Sequence, residues 1–277
     1  MPELPEVELV ARALDKLATG QRILAARLLR PGLAPETSPH RFGRLLKGAR
    51  IERVGRRGKH LLIEMDNAQV LIAHLRMTGR FLYLPPAAPL PKFAHAVFHL
   101  DSERRLVFCD QRHFGMMKLV THANLYETRE LRALAPEPFS DSFTADYLHE
   151  ALKRSRRTLK ETLLDQKRVT GLGNIYAAEA MFLARLNPFS PAQAFSRKRV
   201  LRLHRAILDT FTAALAHGST LNIDPENIEG SYYGGGYAGR WRVYDREGEP
   251  CCACGAKIRR IAHAGRSTYF CPRCQRR

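Results

Sequence analysis

The apolar positions along the chain change period once, and that change divides it. Near the start, Val7, Val10, Leu14 and Leu17 recur at the spacing of one helical face; Pro5 suits a first helical turn and Gly20 closes the run. Short apolar segments bounded by Pro- and Gly-containing turns follow. They predict strands over 23–29, 61–65, 70–75, 80–84, 96–100, 105–109 and 116–120. Strands of this length and spacing point to a β-sandwich. In the segment APEPFSDSF, Pro136 and Pro138 mark a linker, and beyond it the period becomes helical. Thr144 is placed to cap a helix running through Leu152. Ser196 is placed to cap another, whose stripe Val200, Leu203, Ile207, Phe211 and Ala214 ends at Gly218. The expectation is an α+β chain: a leading helix and β-sandwich, then a mainly helical half. Between Ser219 and Gly239 a stretch rich in Gly, Asn and Tyr is too long for a simple connector and reads as a mobile or functional loop.

A length of 277 residues accommodates two domains, or one domain and a small module. The best apolar run, VLIAHL, falls far short of the ~20 residues of a membrane span. The acidic N-terminus lacks the apolar region of a secretory signal, so a soluble intracellular protein is expected. Lys and Arg number 45 against 27 Asp and Glu, a formal charge of +18, which makes a polyanion the leading partner. Charge alone leaves ribosomal, membrane-surface and nucleic-acid proteins open.

The cysteines narrow the choice. Cys109 stands apart, while Cys251, Cys252, Cys254, Cys271 and Cys274 crowd the end. Two CxxC pairs, Cys251/Cys254 and Cys271/Cys274, are separated by 16 residues, the pattern of a zinc ribbon in which each pair forms a knuckle. Four thiolates leave no open coordination position, so this zinc is structural. From Cys251 onward there are basic residues and no acid, which suits contact with phosphates. Arg266, in the hairpin between the knuckles, is the candidate contact; the alternative is a solvated surface charge.

At the other end, removing Met1 would leave Pro2 with a secondary amine. An α-amino group titrates near pH ~8, so an appreciable fraction is neutral and nucleophilic at physiological pH. Attack on a sugar C1′ gives an iminium ion, an electron sink for later bond cleavage, and Glu3 beside it can shuttle protons. The competing reading is that these residues merely start a helix, and for Pro5, Glu6 and Glu8 that reading is preferred. In GLGNIYAAEA, Gly171, Gly173 and Asn174 precede a helix whose N-terminus offers backbone N–H groups to a phosphate; an ordinary helix cap is the alternative. Lys153, Arg154, Arg156, Arg157, Lys160, Lys167 and Arg168 crowd the same region.

Taken in order, the Pro2-Glu3 start, RRGKHLL, HLRMTG, DQRHFG, GLGNIYA and the terminal ribbon resemble the formamidopyrimidine-DNA glycosylase family across almost the whole chain. The MPELPEVE start is similar to the oxidised-purine branch; the endonuclease VIII branch typically carries Gly in place of Leu4. The resemblance implies a base-excision repair enzyme, a bifunctional glycosylase and AP lyase acting on damaged duplex DNA with one structural Zn2+. It implies that Pro2 attacks C1′ and displaces the base, that Glu3 assists at the sugar, and that Lys59 holds the lesion's phosphates. Met77, Arg112 and Phe114 would fill the gap left by the extruded base. Without the resemblance, Met77 and Phe114 read as core residues. His74 reads equally as a core histidine or a phosphate contact. Asn174 and Arg266 would anchor phosphates in a helix-two-turn-helix and the zinc hairpin, with Lys160 as an addition. The expected domains are a catalytic β-sandwich over 1–134, a helical DNA-binding domain over 140–240 and a zinc ribbon over 241–277, in a monomer associated with the bacterial nucleoid in the cytoplasm.

Three positions depart from the pattern. His113 follows Arg112 where a second basic residue is usual, Asp245 replaces a customary glycine, and the loop over 218–240 lacks the usual Gly-x-Phe-Gln ending. The reaction is thus better specified than the lesion. Oxidised pyrimidines are the alternative substrate, and a non-catalytic zinc-ribbon protein that binds damaged DNA is the alternative class.

Overall fold

The computed structural model describes residues 2–220 and 239–276. The loop over 218–240 singled out above lies almost entirely outside them. The described chain forms two compact units, 2–132 and 133–220 with 239–276. No helix among the described residues is long and apolar enough to cross a membrane.

The first unit opens with α1 (Leu4–Ala18), which buries Val7, Val10, Ala11 and Leu14 as its periodicity predicts. Eight strands follow: β1 (Ile23–Leu28), β2 (Ile51–Arg57), β3 (His60–Met65), β4 (Gln69–His74), β5 (Gly79–Leu84), β6 (Ala94–Leu100), β7 (Arg105–Asp110) and β8 (Met116–Thr121). They form two antiparallel four-stranded sheets, ordered β1-β6-β7-β5 and β2-β3-β4-β8. The core includes Ile23, Phe81, Phe98 and Phe108 of one sheet and Ile51, Leu61, Ile63 and Leu71 of the other, so the sandwich read from the strand spacing is present. Two elements of this unit were not legible. α2 (Pro39–Leu46) buries only Phe42 and Leu46, too little for a visible stripe, although Ser38 caps it. The strand β2 reads IERVGRR and buries only Ile51 and Val54, because it is a sheet edge and edges carry charge.

Polar contacts fix α1 along β2. Asp15 Oδ1 accepts the Val54 N–H at 2.7 Å, and the Arg56 guanidinium meets Glu8 at 2.6 Å. The same direction of travel carries the first turn of α1 toward the Gly58–Lys59 turn that joins β2 to β3.

The second unit contains α3 (Ala145–Lys153), α4 (Leu159–Leu164), α5 (Asn174–Leu183), α6 (Arg197–Ala216) and the hairpin β9 (Arg259–His263) and β10 (Arg266–Phe270). Thr144 caps α3, its hydroxyl accepting the Tyr147 N–H at 3.0 Å. The six residues of α4 were too few to read as a helix. The α6 stripe is buried as its periodicity predicts. Most of α5 is buried, and it packs against α4, α6 and β10. Glu179, in the middle of this apolar helix, is fully buried. Its carboxylate accepts the N–H groups of Arg242, Val243 and Tyr244 at 2.9, 2.9 and 3.0 Å, tying the approach to the cysteine region onto α5. Ala178 and Phe182 share a core with Val243, Ile258, Tyr269, Cys251 and Cys271. Asp245 lies in the left-handed region at φ 57°, which accounts for its standing where glycine is customary, since Asp tolerates that conformation better than most residues. Tyr269 Oη donates to Asp245 Oδ1 at 3.2 Å.

Glu179→Ala would strip the acceptor from three N–H groups, of which that of Val243 is fully buried. The expected cost is about 3 kcal/mol, roughly halved in Glu179→Gln, measured by urea unfolding followed through Trp241 fluorescence. An unchanged midpoint would refute the tie.

Candidate active site and nucleic-acid interface

In the first unit, Pro2 and Glu3 are both buried at the start of α1. Glu3 is the N-cap: its backbone N–H donates to the Glu6 carboxylate at 2.8 Å, and the Glu3 side chain accepts from the Glu6 backbone, a reciprocal capping box. Glu6, read as an ordinary helix-start acid, is in fact fully buried and holds Glu3 in place. Lys59 is buried in the turn after Gly58, whose φ of 59° makes that turn tight.

His74 ends β4 and pairs in register with His60 on β3. The rings meet edge to face with centroids 4.7 Å apart. The His74 Nδ1 accepts the Arg76 N–H at 2.9 Å, which puts the ring hydrogen on Nε2. Burial, with His60 next, pushes its pKa down to about 2, and burial pushes His60 to about 4. Both are therefore uncharged imidazoles at neutral pH. Of the two readings of His74, the geometry allows a hydrogen-bond donor to a phosphate but no charge.

Met77, half-buried, sits in the β4–β5 loop, and Arg112 and Phe114 in the β7–β8 loop. The register Gly79↔Asp110 brings these loops side by side. Asp110 organises them. It is fully buried; Oδ1 accepts the Thr78 hydroxyl and the Arg112 N–H, and Oδ2 accepts the Gly115 N–H at 2.6 Å. A Cβ at Gly115 would meet the Phe108 ring at 2.8 Å, and one at Gly79 would meet Leu75 O at 2.5 Å, so both positions require glycine. The result is a rigid loop that leaves Phe114 56% exposed, under the Arg112 guanidinium 5.0 Å from its centroid. Phe114 is thus not the core aromatic of the competing reading. His113, at φ 60°, turns its ring onto buried His95, stacked at 11° with Nδ1 to Nε2 at 3.0 Å. Asp110 and Thr78 were missed, although an acid closing an apolar strand was the available signal.

The second unit gathers Lys160, Asn174 and Arg266. Lys160 departs from the expected phosphate contact: it is 1% exposed, and its ammonium donates to Ser267 O and Thr268 Oγ1, both at 2.7 Å. Burial, aided by the Arg266 charge, pushes its pKa down to about 8. Asn174 Nδ2 donates to the same Ser267 oxygen at 3.0 Å, while its buried Oδ1 has no partner. Arg266 is exposed beside the hairpin turn, where Ala264 and Gly265 are both left-handed, the geometry of a tight two-residue hairpin. The crowd of cations upstream is partly internal: Arg168 donates to Ala151 O and Arg154 O at the end of α3, and Arg157 pairs with Asp165 at 3.3 Å.

The sulfurs of Cys251, Cys254, Cys271 and Cys274 lie within 4.8 Å of one another, with pairs at 3.9 and 3.4 Å. A tetrahedral zinc with Zn–S bonds of about 2.3 Å has S–S edges of about 3.8 Å, so the donor set fits the ion. Backbone N–H groups of Ala253 and Cys274 point at Cys251 and Cys271 sulfur, both at 3.4 Å, as thiolate acceptors require. Cys252 faces away and is exposed. Cys109 is buried, with its pKa pushed up to about 11 by that burial, which leaves little thiolate at neutral pH.

Comparison with known proteins covers the chain end to end. Residues 1–117 match the formamidopyrimidine-DNA glycosylase N-terminal domain, 134–224 the H2TH domain of the same enzymes, and 248–277 a zinc finger found in FPG and IleRS. A formamidopyrimidine-DNA glycosylase of Desulforamulus reducens is 39% identical over 277 residues, covering 100% of this chain and 99% of its own. The Lactococcus lactis Fpg bound to DNA containing an abasic site superposes with a TM-score of 0.91 at 32% identity, covering 99% of this chain and 100% of its own. The same protein bound to DNA containing FAPY-dG gives the same figures.

The paired histidines make the first unit acid-sensitive. Below about pH 6.5 the unfolded chain takes up protons at His60 and His74 while the folded state does not until about pH 4 and 2, so stability falls as pH drops. With both groups contributing, the slope is about 2 kcal/mol per pH unit between pH 6 and 5. Hydrogen exchange of the β3 and β4 amides, corrected for intrinsic rates, should show it, and His60→Phe should roughly halve it. A flat profile would contradict the assignment.

Proposed function

Because the chain belongs to the formamidopyrimidine-DNA glycosylase family, we propose that Pro2, once Met1 is removed, is the nucleophile of a base-excision repair reaction on oxidised purines in duplex DNA. The enzyme is a DNA glycosylase with AP lyase activity. The neutral secondary amine attacks C1′ of the damaged nucleotide, and the bond to the base breaks as the base leaves with a proton. Ring opening gives an iminium ion, whose positive charge acidifies the C2′ proton. Its loss expels the 3′ phosphate, and a second elimination expels the 5′ phosphate, cutting the strand on both sides of the lesion. Glu3, held by Glu6, moves protons at the sugar, and Lys59 and the Nε2–H of His74 hold phosphates next to it.

Chemistry on a base requires extruding it, which leaves a gap in the stack. The observation that carries the reading is the Asp110-pinned loop, which keeps Phe114 in solvent with Arg112 over its ring. An exposed aromatic held rigidly is a wedge, and a guanidinium beside it can bond the orphaned partner base. Met77 completes the filling. Asn174 and Arg266 grip the backbone, while Lys160 acts behind them, fixing the hairpin from within the protein. The zinc ion supplies no chemistry; it closes the two knuckles that present Arg266. The work divides among a catalytic sandwich over 1–134, a helical DNA-binding part over 140–240 and the zinc ribbon over 241–277. The protein acts as a monomer at the nucleoid in the bacterial cytoplasm.

Borohydride reduction in the presence of duplexes carrying 8-oxoguanine, a formamidopyrimidine, 5-hydroxycytosine or an abasic site tests the nucleophile. Wild type should form a covalent adduct, best with the purine lesions among the damaged bases, and Pro2→Gly should form none on any base lesion. Tight binding without an adduct, in protein confirmed to lack Met1, would favour the non-catalytic alternative. Removing zinc with a chelator should cut affinity for an abasic-site duplex at least tenfold while the circular dichroism of the sandwich persists. Unimpaired binding by verified metal-free protein would contradict the ribbon's role.

A further inference from the structure

We infer that His263 is a positioning residue for the DNA-contacting hairpin, latching β9 to the capping box of α4 so that Arg266 is held at a fixed height over the second unit. The inference rests on the proposal that Arg266 contacts DNA. All four other residues of β9 are exposed; only His263 turns inward. Its Nε2 lies 3.0 Å from Thr158 Oγ1 and 3.4 Å from Glu161 Oε2. The direction of the hydrogen bond follows from the box itself. Thr158 donates its hydroxyl to Glu161 Oε2 at 2.6 Å, so Thr158 Oγ1 can only accept from the ring, and His263 carries its hydrogen on Nε2. That hydrogen serves whether the ring is neutral or charged. Phe189 closes the other side, edge-on to the imidazole at 5.3 Å and to Phe270 at 5.1 Å.

The latch has a counterpart on the other strand. Lys160, also on α4, grips β10 through Ser267 O and Thr268 Oγ1. One short helix therefore holds both strands, and the two grips flank the turn. His263 pairs directly with Arg266 in the hairpin register, so both side chains stand on the same face. Without His263, β9 would keep its ladder to β10 and, at its far end from the turn, the exposed Arg260–Glu247 pair at 3.6 Å, and the arginine would move with the tip.

The test compares His263→Ala, His263→Gln and Arg266→Ala as zinc-loaded full-length protein on a duplex carrying an uncleavable abasic analogue and on a cleavable one. Losing one partly buried hydrogen bond should raise Kd and KM about three- to tenfold. The single-turnover rate at saturating enzyme and the zinc content should stay at wild-type values. His263→Gln, whose amide reaches the same acceptors, should restore most of the affinity. Should His263→Ala fail to retain zinc, His263→Asn, too short to reach Thr158, takes its place. Binding within twofold of wild type by His263→Ala, while Arg266→Ala binds weakly, would overturn the latch. Tight binding by Arg266→Ala would instead remove the premise that the hairpin arginine contacts DNA.

Discussion

The working parts of this protein hang on carboxylates taken out of water and surrounded by backbone N–H groups. An ionised carboxylate without partners is costly to bury, so such a group survives only where donors converge on it. Asp110 is the clearest case. Its oxygens collect the Arg112 and Gly115 N–H groups and the Thr78 hydroxyl, which ties two neighbouring loops together. Glu6 does the same for the backbone of Glu3, and Glu179 for the run from Arg242 to Tyr244. In each case the acid stands where the chain must change direction on its way into a site. The residues that would meet DNA are thus rigid because of neighbours that never meet it.

That division explains what could be read from the sequence. Elements with a broad apolar face, such as α1, α6 and the central strands, were legible because burial imposes a period on them. The metal cluster was legible because zinc dictates both residue type and spacing. Elements with few buried positions escaped: β2 lies at a sheet edge, and α2 and α4 are short. The buried acids also escaped, since Glu6 and Asp110 look on paper like surface charge and Glu179 like an interruption in an apolar helix. Only their partners give them meaning, and those partners come from 3 to 65 residues away.

Cationic surplus likewise means less than its total suggests. Arg56, Arg157, Arg168 and Lys118 answer carboxylates of this chain, and Lys160 is buried against backbone oxygen. Arg266 and Arg112, by contrast, are exposed on or beside tight turns. Lys160 shows how the count misleads: the chemistry that makes lysine a phosphate ligand also makes it a good internal strut for carbonyl oxygens.

The four-sulfur cluster brings a vulnerability of its own. Cys251 and Cys271 are buried, but Cys254 and Cys274 are only half-buried, so one residue of each knuckle borders solvent. Peroxide and related oxidants convert thiolates to sulfenic acids and disulfides, neither of which holds zinc as a thiolate does. The agents that create oxidised purines therefore also attack the hinge pin of the hairpin meant to help remove them. Repair capacity in such a cell would decline just as its workload rises, unless reductants restore the sulfurs before the ion is lost.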